Sequence, residues 1–128
     1  MHNNKALNVF PIEITVLEKN EVIKGELTRT KAPRTVEKII AKLPITNKAT
    51  KRNQQINFPI GIEMGKEKSS KMVKKGDIGY WPIGDAICFF TEDMEPYGDI
   101  NIIGQITSNL DVLKKLRLIS TLKIALTS

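Results

Sequence analysis

The chain has 128 residues, 41% of them apolar, which is enough to enclose one core without disulfides or metals. Its formal charge of +6 suits anionic partners or plain solubility. A lone cysteine, Cys88, excludes an intrachain disulfide and paired-cysteine zinc sites, and no run approaches the roughly eighteen apolar residues of a membrane span.

After a polar tail over residues 1–9, which lacks the apolar stretch of a signal peptide, Pro11–Leu17 alternates Ile12, Ile14 and Val16 against Glu13 and Thr15. That period of two predicts a half-buried strand. Lys19–Glu21 turns the chain, and Val22–Thr28 returns as the second strand of a hairpin. Pro33 then opens a helix whose Val36, Ile39, Ile40 and Leu43 form one apolar stripe, and Pro44 ends it. Residues 45–55 are polar and basic and read as a loop. Ile56–Ile62 recovers alternation, with Pro59 and Gly61 implying an edge or a bulge.

Glu63–Lys75 is lysine-rich and reads as an exposed connection. Ile78–Trp81 and Ala86–Thr91 are strands around the Pro82–Asp85 turn. Glu92–Gly98 reads as an acidic loop, and Asp99–Thr107 as a further strand. Ser108 and Asn109 offer capping side chains to a short helix with Leu110, Leu113 and Leu116 on its apolar face, and Asp111 sits in its first turn. A final strand alternates Leu122, Ile124 and Leu126 with polar neighbours. Together these predict one domain over residues 1–128: a mainly β, closed barrel of about eight strands capped by two short α-helices, since closure removes exposed edges.

Charge is distributed unevenly. Residues 31–52 carry Lys31, Arg34, Lys38, Lys42, Lys48, Lys51 and Arg52 against Glu37 alone, whereas residues 77–104 hold Asp77, Asp85, Glu92, Asp93, Glu95 and Asp99 with no Lys or Arg. Lys48, Lys51 and Arg52 are therefore candidate anion contacts. The segment has no aromatic residue for base stacking, which argues against nucleic acid. The opposed segments also permit a homodimer.

The acidic loop matches no calcium-loop spacing, so no metal site or cofactor is expected. The single histidine, His2, lies in the tail, which leaves no Ser-His or Cys-His pair for nucleophilic catalysis. Cys88, among Ile87, Phe89 and Phe90, reads as a buried and inert thiol. Tyr80 and Trp81 are strand neighbours and must point to opposite faces. Abundant Lys and Ile with few Gln fit a heat-adapted source, and the lone cysteine fits a reducing cytoplasm.

Three segments, in order, resemble cyclophilin: Ala32-Pro33-Arg34-Thr35 after Gly25–Thr28; Gly76–Thr91; and Asn101–Thr107 followed by Asn109–Leu116. The Gly76–Pro82 core and small size are similar to compact cyclophilin-like proteins of archaea and thermophilic bacteria, a group without an assigned function. The resemblance implies a cleft near Phe58, Tyr80, Trp81, Pro82, Asp85 and Cys88, with Cys88 standing where the family has a pocket phenylalanine and Trp81 where it has a small residue. Cyclophilin isomerases carry a catalytic arginine in a Phe-His-Arg segment before a Phe-Met-x-Gln-Gly-Gly-Asp stretch. Residues 56–62 contain neither, and Arg52 stands several residues too early. The expectation is a barrel that binds a small molecule or peptide without catalytic residues. The alternatives are a weak prolyl isomerase or other enzyme on the same barrel, and a basic contact module for nucleic acid or protein.

Overall fold

The protein is described by a computed structural model covering residues 8–127. The proposed tail lies mostly outside these residues, as does His2, and Val9 already belongs to a strand. Eight strands form the expected closed barrel: β1 (Val9–Val16), β2 (Glu21–Thr28), β3 (Ile45–Arg52), β4 (Gln55–Pro59), β5 (Asp77–Trp81), β6 (Ala86–Phe90), β7 (Asn101–Ser108) and β8 (Ile119–Leu126). Two helices accompany them, α1 (Pro33–Lys42) and α2 (Leu110–Lys114). The order around the barrel is β1-β2-β7-β5-β6-β4-β3-β8, every pair antiparallel, with β8 closing on β1.

The period-two patterns become the lining. Ile12, Ile14, Val16, Ile23, Leu27, Leu122 and Ile124 point inward and are buried. The connection from β2 to β3 carries α1 across one end, burying Thr35, Val36 and Ile39. The connection from β7 to β8 carries α2 across the other, where Leu113 and Leu116 are buried.

Residues 45–55 are not a loop. They form β3, which pairs with β8 on one side and β4 on the other, and then a tight turn at Asn53 and Gln54. Only Ala49 of β3 is fully buried, so this strand is held by backbone ladders and gives almost no apolar contrast in sequence. The irregularities also lie elsewhere than expected. Pro59 merely ends β4, whereas the ladders that β7 makes with β2 and β5 shift register at Lys24/Gly25 and Ile78/Gly79.

Asn109 does not cap α2 with its side chain. It adopts a left-handed conformation (φ 66°), and its amide donates to the Val22 carbonyl at 2.8 Å. The 63–75 connection is pinned rather than free: Ser70 bridges Ile100, Val73 bridges Met94, and Val73 is buried.

Candidate functional site

Strands β4, β5 and β6 are buried on both faces, which explains the unbroken apolar run at Ala86–Phe90. Alternation assigns the faces. Ile56, Phe58, Ile78, Tyr80, Ile87 and Phe89 belong to the barrel core. On the outer face Cys88 and Phe90 join Val73 and Ile100 in a second small core, against which Trp81, Met94 and Ile102 pack.

Tyr80 and Trp81 therefore part as expected, and the six cleft residues do not line one cavity. Phe58 and Tyr80 are interior. The Tyr80 hydroxyl donates to Asp85 Oδ1 at 2.6 Å and accepts from the Met64 amide at 3.1 Å. Asp85 Oδ1 also receives the amides of Ile62 and Glu63, so this carboxylate pins the strap after β4 to the Pro82–Asp85 turn. Burial and the bond to Asp85 push the Tyr80 phenol up to about 12.

Trp81 and Cys88 sit on the outer face, and Pro82 starts the turn between β5 and β6, half-buried. The indole is framed by two glycines. A Cβ on Gly84 would come within 2.3 Å of the ring, and one on Gly98 within 2.9 Å of Nε1, so Trp81 fills the space between the turn and the acidic loop. Its Nε1 is buried and has no hydrogen-bond partner.

Behind it lies a polar cluster that sequence reasoning did not find. Gln55 Nε2 donates to Asn57 Oδ1 at 2.7 Å and to Cys88 Sγ at 3.4 Å, and the Cys88 thiol donates to Asn57 Oδ1 at 3.1 Å. Gln55 Oε1 is buried without a partner. Burial pushes the Cys88 thiol up to about 12, which leaves it a poor nucleophile. The signal for it in the sequence is polar Gln55 and Asn57 alternating with Ile56 and Phe58, and it is weak because Gln55 directly follows the polar stretch 45–54.

The three candidate anion contacts are not brought together. Lys48 is exposed on β3. The Lys51 ammonium turns toward the carbonyls of Lys114 and Leu116 at the end of α2. The Arg52 guanidinium stacks over the Tyr97 ring, 4.7 Å from its centroid. No group of three His, Cys, Asp or Glu is placed to hold a metal among the described residues.

A second polar network was also missed. Glu67 lies at the N-terminus of α1, accepting the Thr35 amide at 2.9 Å, the Thr35 hydroxyl at 2.8 Å and the Arg34 amide at 3.1 Å. Buried Asn101 accepts the Glu67 amide and donates to Thr35 and the Gly65 carbonyl. Ala32, the N-cap residue, offers no side-chain acceptor, so Glu67 does that work from a distance in sequence. Glu67→Ala is expected to destabilise the fold by about 1–2 kcal/mol, read as a lower urea midpoint at unchanged slope.

A family description, cyclophilin-like, matches residues 11–125. The chain belongs to the cyclophilin-like family. Among solved structures, this cyclophilin-like chain is similar to the hypothetical protein AF2241 from Archaeoglobus fulgidus, at 26% identity and a TM-score of 0.77, over 92% of this chain and 95% of that one. McbB, solved in complex with tryptophan, shares the fold at 11% identity and a TM-score of 0.74, over 89% of this chain and 44% of McbB. No curated protein matches. No helix among the described residues is long and apolar enough to cross a membrane.

Proposed function

We propose that this cyclophilin-like barrel is a binding module that takes a peptide segment or a small amide-bearing molecule on the outer face of β4, β6 and β5, beneath Trp81. One observation carries the reading: two buried atoms of opposite hydrogen-bonding sense lie unpaired on that face, the acceptor Gln55 Oε1 and the donor Trp81 Nε1. An unmade buried hydrogen bond costs about 1–3 kcal/mol. Gln55 pairs with Phe90 at one end of this face and Trp81 with Ala86 at the other, so an extended peptide segment offering an N–H near Gln55 and a C=O near Trp81 would recover both. The indole carries no hydrogen bond to hold it in place, so it is the element that moves aside on entry.

The isomerase reading has weaker support. Lowering a barrier of about 18–20 kcal/mol calls for a cation aimed at the amide within an apolar slot. Arg52 instead rests on Tyr97 at the exposed end of β3. A nucleic-acid face is also poorly supported, because Lys51 is spent on the end of α2.

Since Trp81 is the chain's single tryptophan, its emission reports on the site directly. Titration with short Xaa-Pro peptides and N-acetyl amino-acid amides is expected to give a saturable change in emission. Gln55→Leu should weaken it about tenfold or more while the fold persists. No response to either set, or an equal response in Gln55→Leu, would overturn the proposal. Prolyl isomerisation accelerated well above background and lost in Trp81→Ala would replace it with the isomerase.

A further inference from the structure

The end of the barrel covered by α2 is incompletely closed. Between the β1–β2 turn and the segment leading into β8 lies a cavity of about 400 Å³, lined by Val16, Glu18, Lys19, Arg117, Ile119 and Ser120. It is remote from Trp81, which the strand register places at the opposite, α1 end of the barrel. We infer that this mouth binds an organic anion with a small apolar body, such as a short-chain carboxylate or sulfonate.

The inner wall makes the first argument. Ser120 precedes Leu122 and Ile124 on the inward side of β8 and is 6% exposed. It gives a hydroxyl to the wall of a space large enough for a small organic molecule. A hydroxyl in that wall can donate to an acceptor that fills the space.

The charges at the rim give the sign. Lys19 and Arg117 both line the cavity, and neither has a carboxylate within salt-bridge distance among the described residues. Glu18 is the opposing group, but both its oxygens already accept the Thr121 amide, at 2.8 and 3.0 Å, which holds the carboxylate against β8. Glu18 keeps its charge and Arg117 is close enough to feel it, so the rim carries two cations against one anion, a surplus of one positive charge. A guanidinium matches a carboxylate or sulfonate through paired N–H donors.

The remaining lining favours an apolar body. Val16 and Ile119 form part of the wall, and Leu17, Leu118 and Ile119 are exposed at 46%, 74% and 61%. These three are adjacent to the opening in sequence. An inorganic anion would leave that surface uncovered, whereas a short aliphatic acid would cover part of it.

The test uses the full chain, with hexanoate, hexanesulfonate and hexylamine titrated against backbone amide NMR signals. Hexanoate and hexanesulfonate are expected to shift Lys19, Ser120 and Thr121 saturably, leaving the Trp81 indole signal in place, and hexylamine to shift none of them. Arg117→Ala should weaken hexanoate about tenfold or more, and Ser120→Ala about threefold. Both variants should keep the native spectrum, Arg117 being exposed and Ser120→Ala removing one oxygen. Equal binding of hexylamine, unchanged affinity in both variants, or no shift at the mouth with any of the three would overturn the inference.

Discussion

Gly104→Ala is expected to destabilise the barrel by about 3 kcal/mol or more, lowering Tm by about 10 °C. A Cβ at this position would stand 2.0 Å from the Glu26 carbonyl oxygen and 3.0 Å from the Leu27 Cα, both main-chain atoms of β2. A flexible side chain could yield to such an intrusion; a ladder strand cannot without losing its hydrogen bonds. Gly104 pairs with Leu27 on one side and Ile78 on the other, so the push is felt on both seams of β7. Overpacking ordinarily costs about 1–3 kcal/mol, and the rigidity of the obstacle places this case at or beyond the top of that range. Gly65→Ala is the control, since nothing lies within 4 Å of the added methyl, and its effect should stay within about 0.5 kcal/mol. Urea unfolding followed by circular dichroism separates the two. Equal midpoints would mean that β2 and β7 part at Gly104 without loss of their pairing.

Asp85→Ala is expected to cost about 2–4 kcal/mol, because it strands the amides of Ile62 and Glu63 and the Tyr80 hydroxyl at once. Tyr80→Phe should cost about 1–2 kcal/mol, since it removes the hydroxyl's bond to Asp85 and leaves the Met64 amide without its acceptor. The pair also has a pH signature. Burial raises the Asp85 carboxyl, but the Tyr80 hydroxyl and the two amides outweigh it and hold the group below its ordinary range.

A carboxyl depressed in the folded state contributes stability that is fully present above its unfolded value, about 3.9, and is lost as pH falls through the folded value. Asp85→Asn should therefore flatten the acid limb of the stability curve below about pH 4. At the alkaline end the sign reverses. The Tyr80 phenol is raised to about 12. Its contribution holds below the unfolded value of about 10 and fades as pH climbs toward the folded one. An acid limb in Asp85→Asn that overlays the wild type would remove Asp85 from this role.

The parts of the fold legible in sequence were those in which one face is apolar and the other polar. β1, β2, β8 and the α1 stripe all present that contrast, and the structure follows it. β3 does not, because apart from Ala49 its side chains are exposed or half-buried and its stability comes from pairing with β4 and β8. Backbone hydrogen bonds leave no trace in hydropathy, so the segment read as a loop.

The candidate site suffered the opposite ambiguity. β5 and β6 are apolar on both sides, so Tyr80 and Trp81 could be separated but not assigned to inside and outside. Phe58 faces the barrel core with Tyr80, on a strand whose opposite face carries Gln55 and Asn57. The polar networks were hidden by distance in the chain: Glu67 reaches Thr35, and Cys88 meets Gln55 and Asn57, through folding rather than through local spacing. Asn109 carried a real capping preference that tertiary contact with Val22 overrode.

The position of β8, inserted between β1 and β3, bears on how the molecule is made. During synthesis the facing flanks of the first and third ribbons stay unzipped until β8 has emerged and slots between them. A nascent chain stalled short of Ile119 would present two bare flanks able to recruit foreign strands, so this eight-residue ribbon works as both keystone and safeguard.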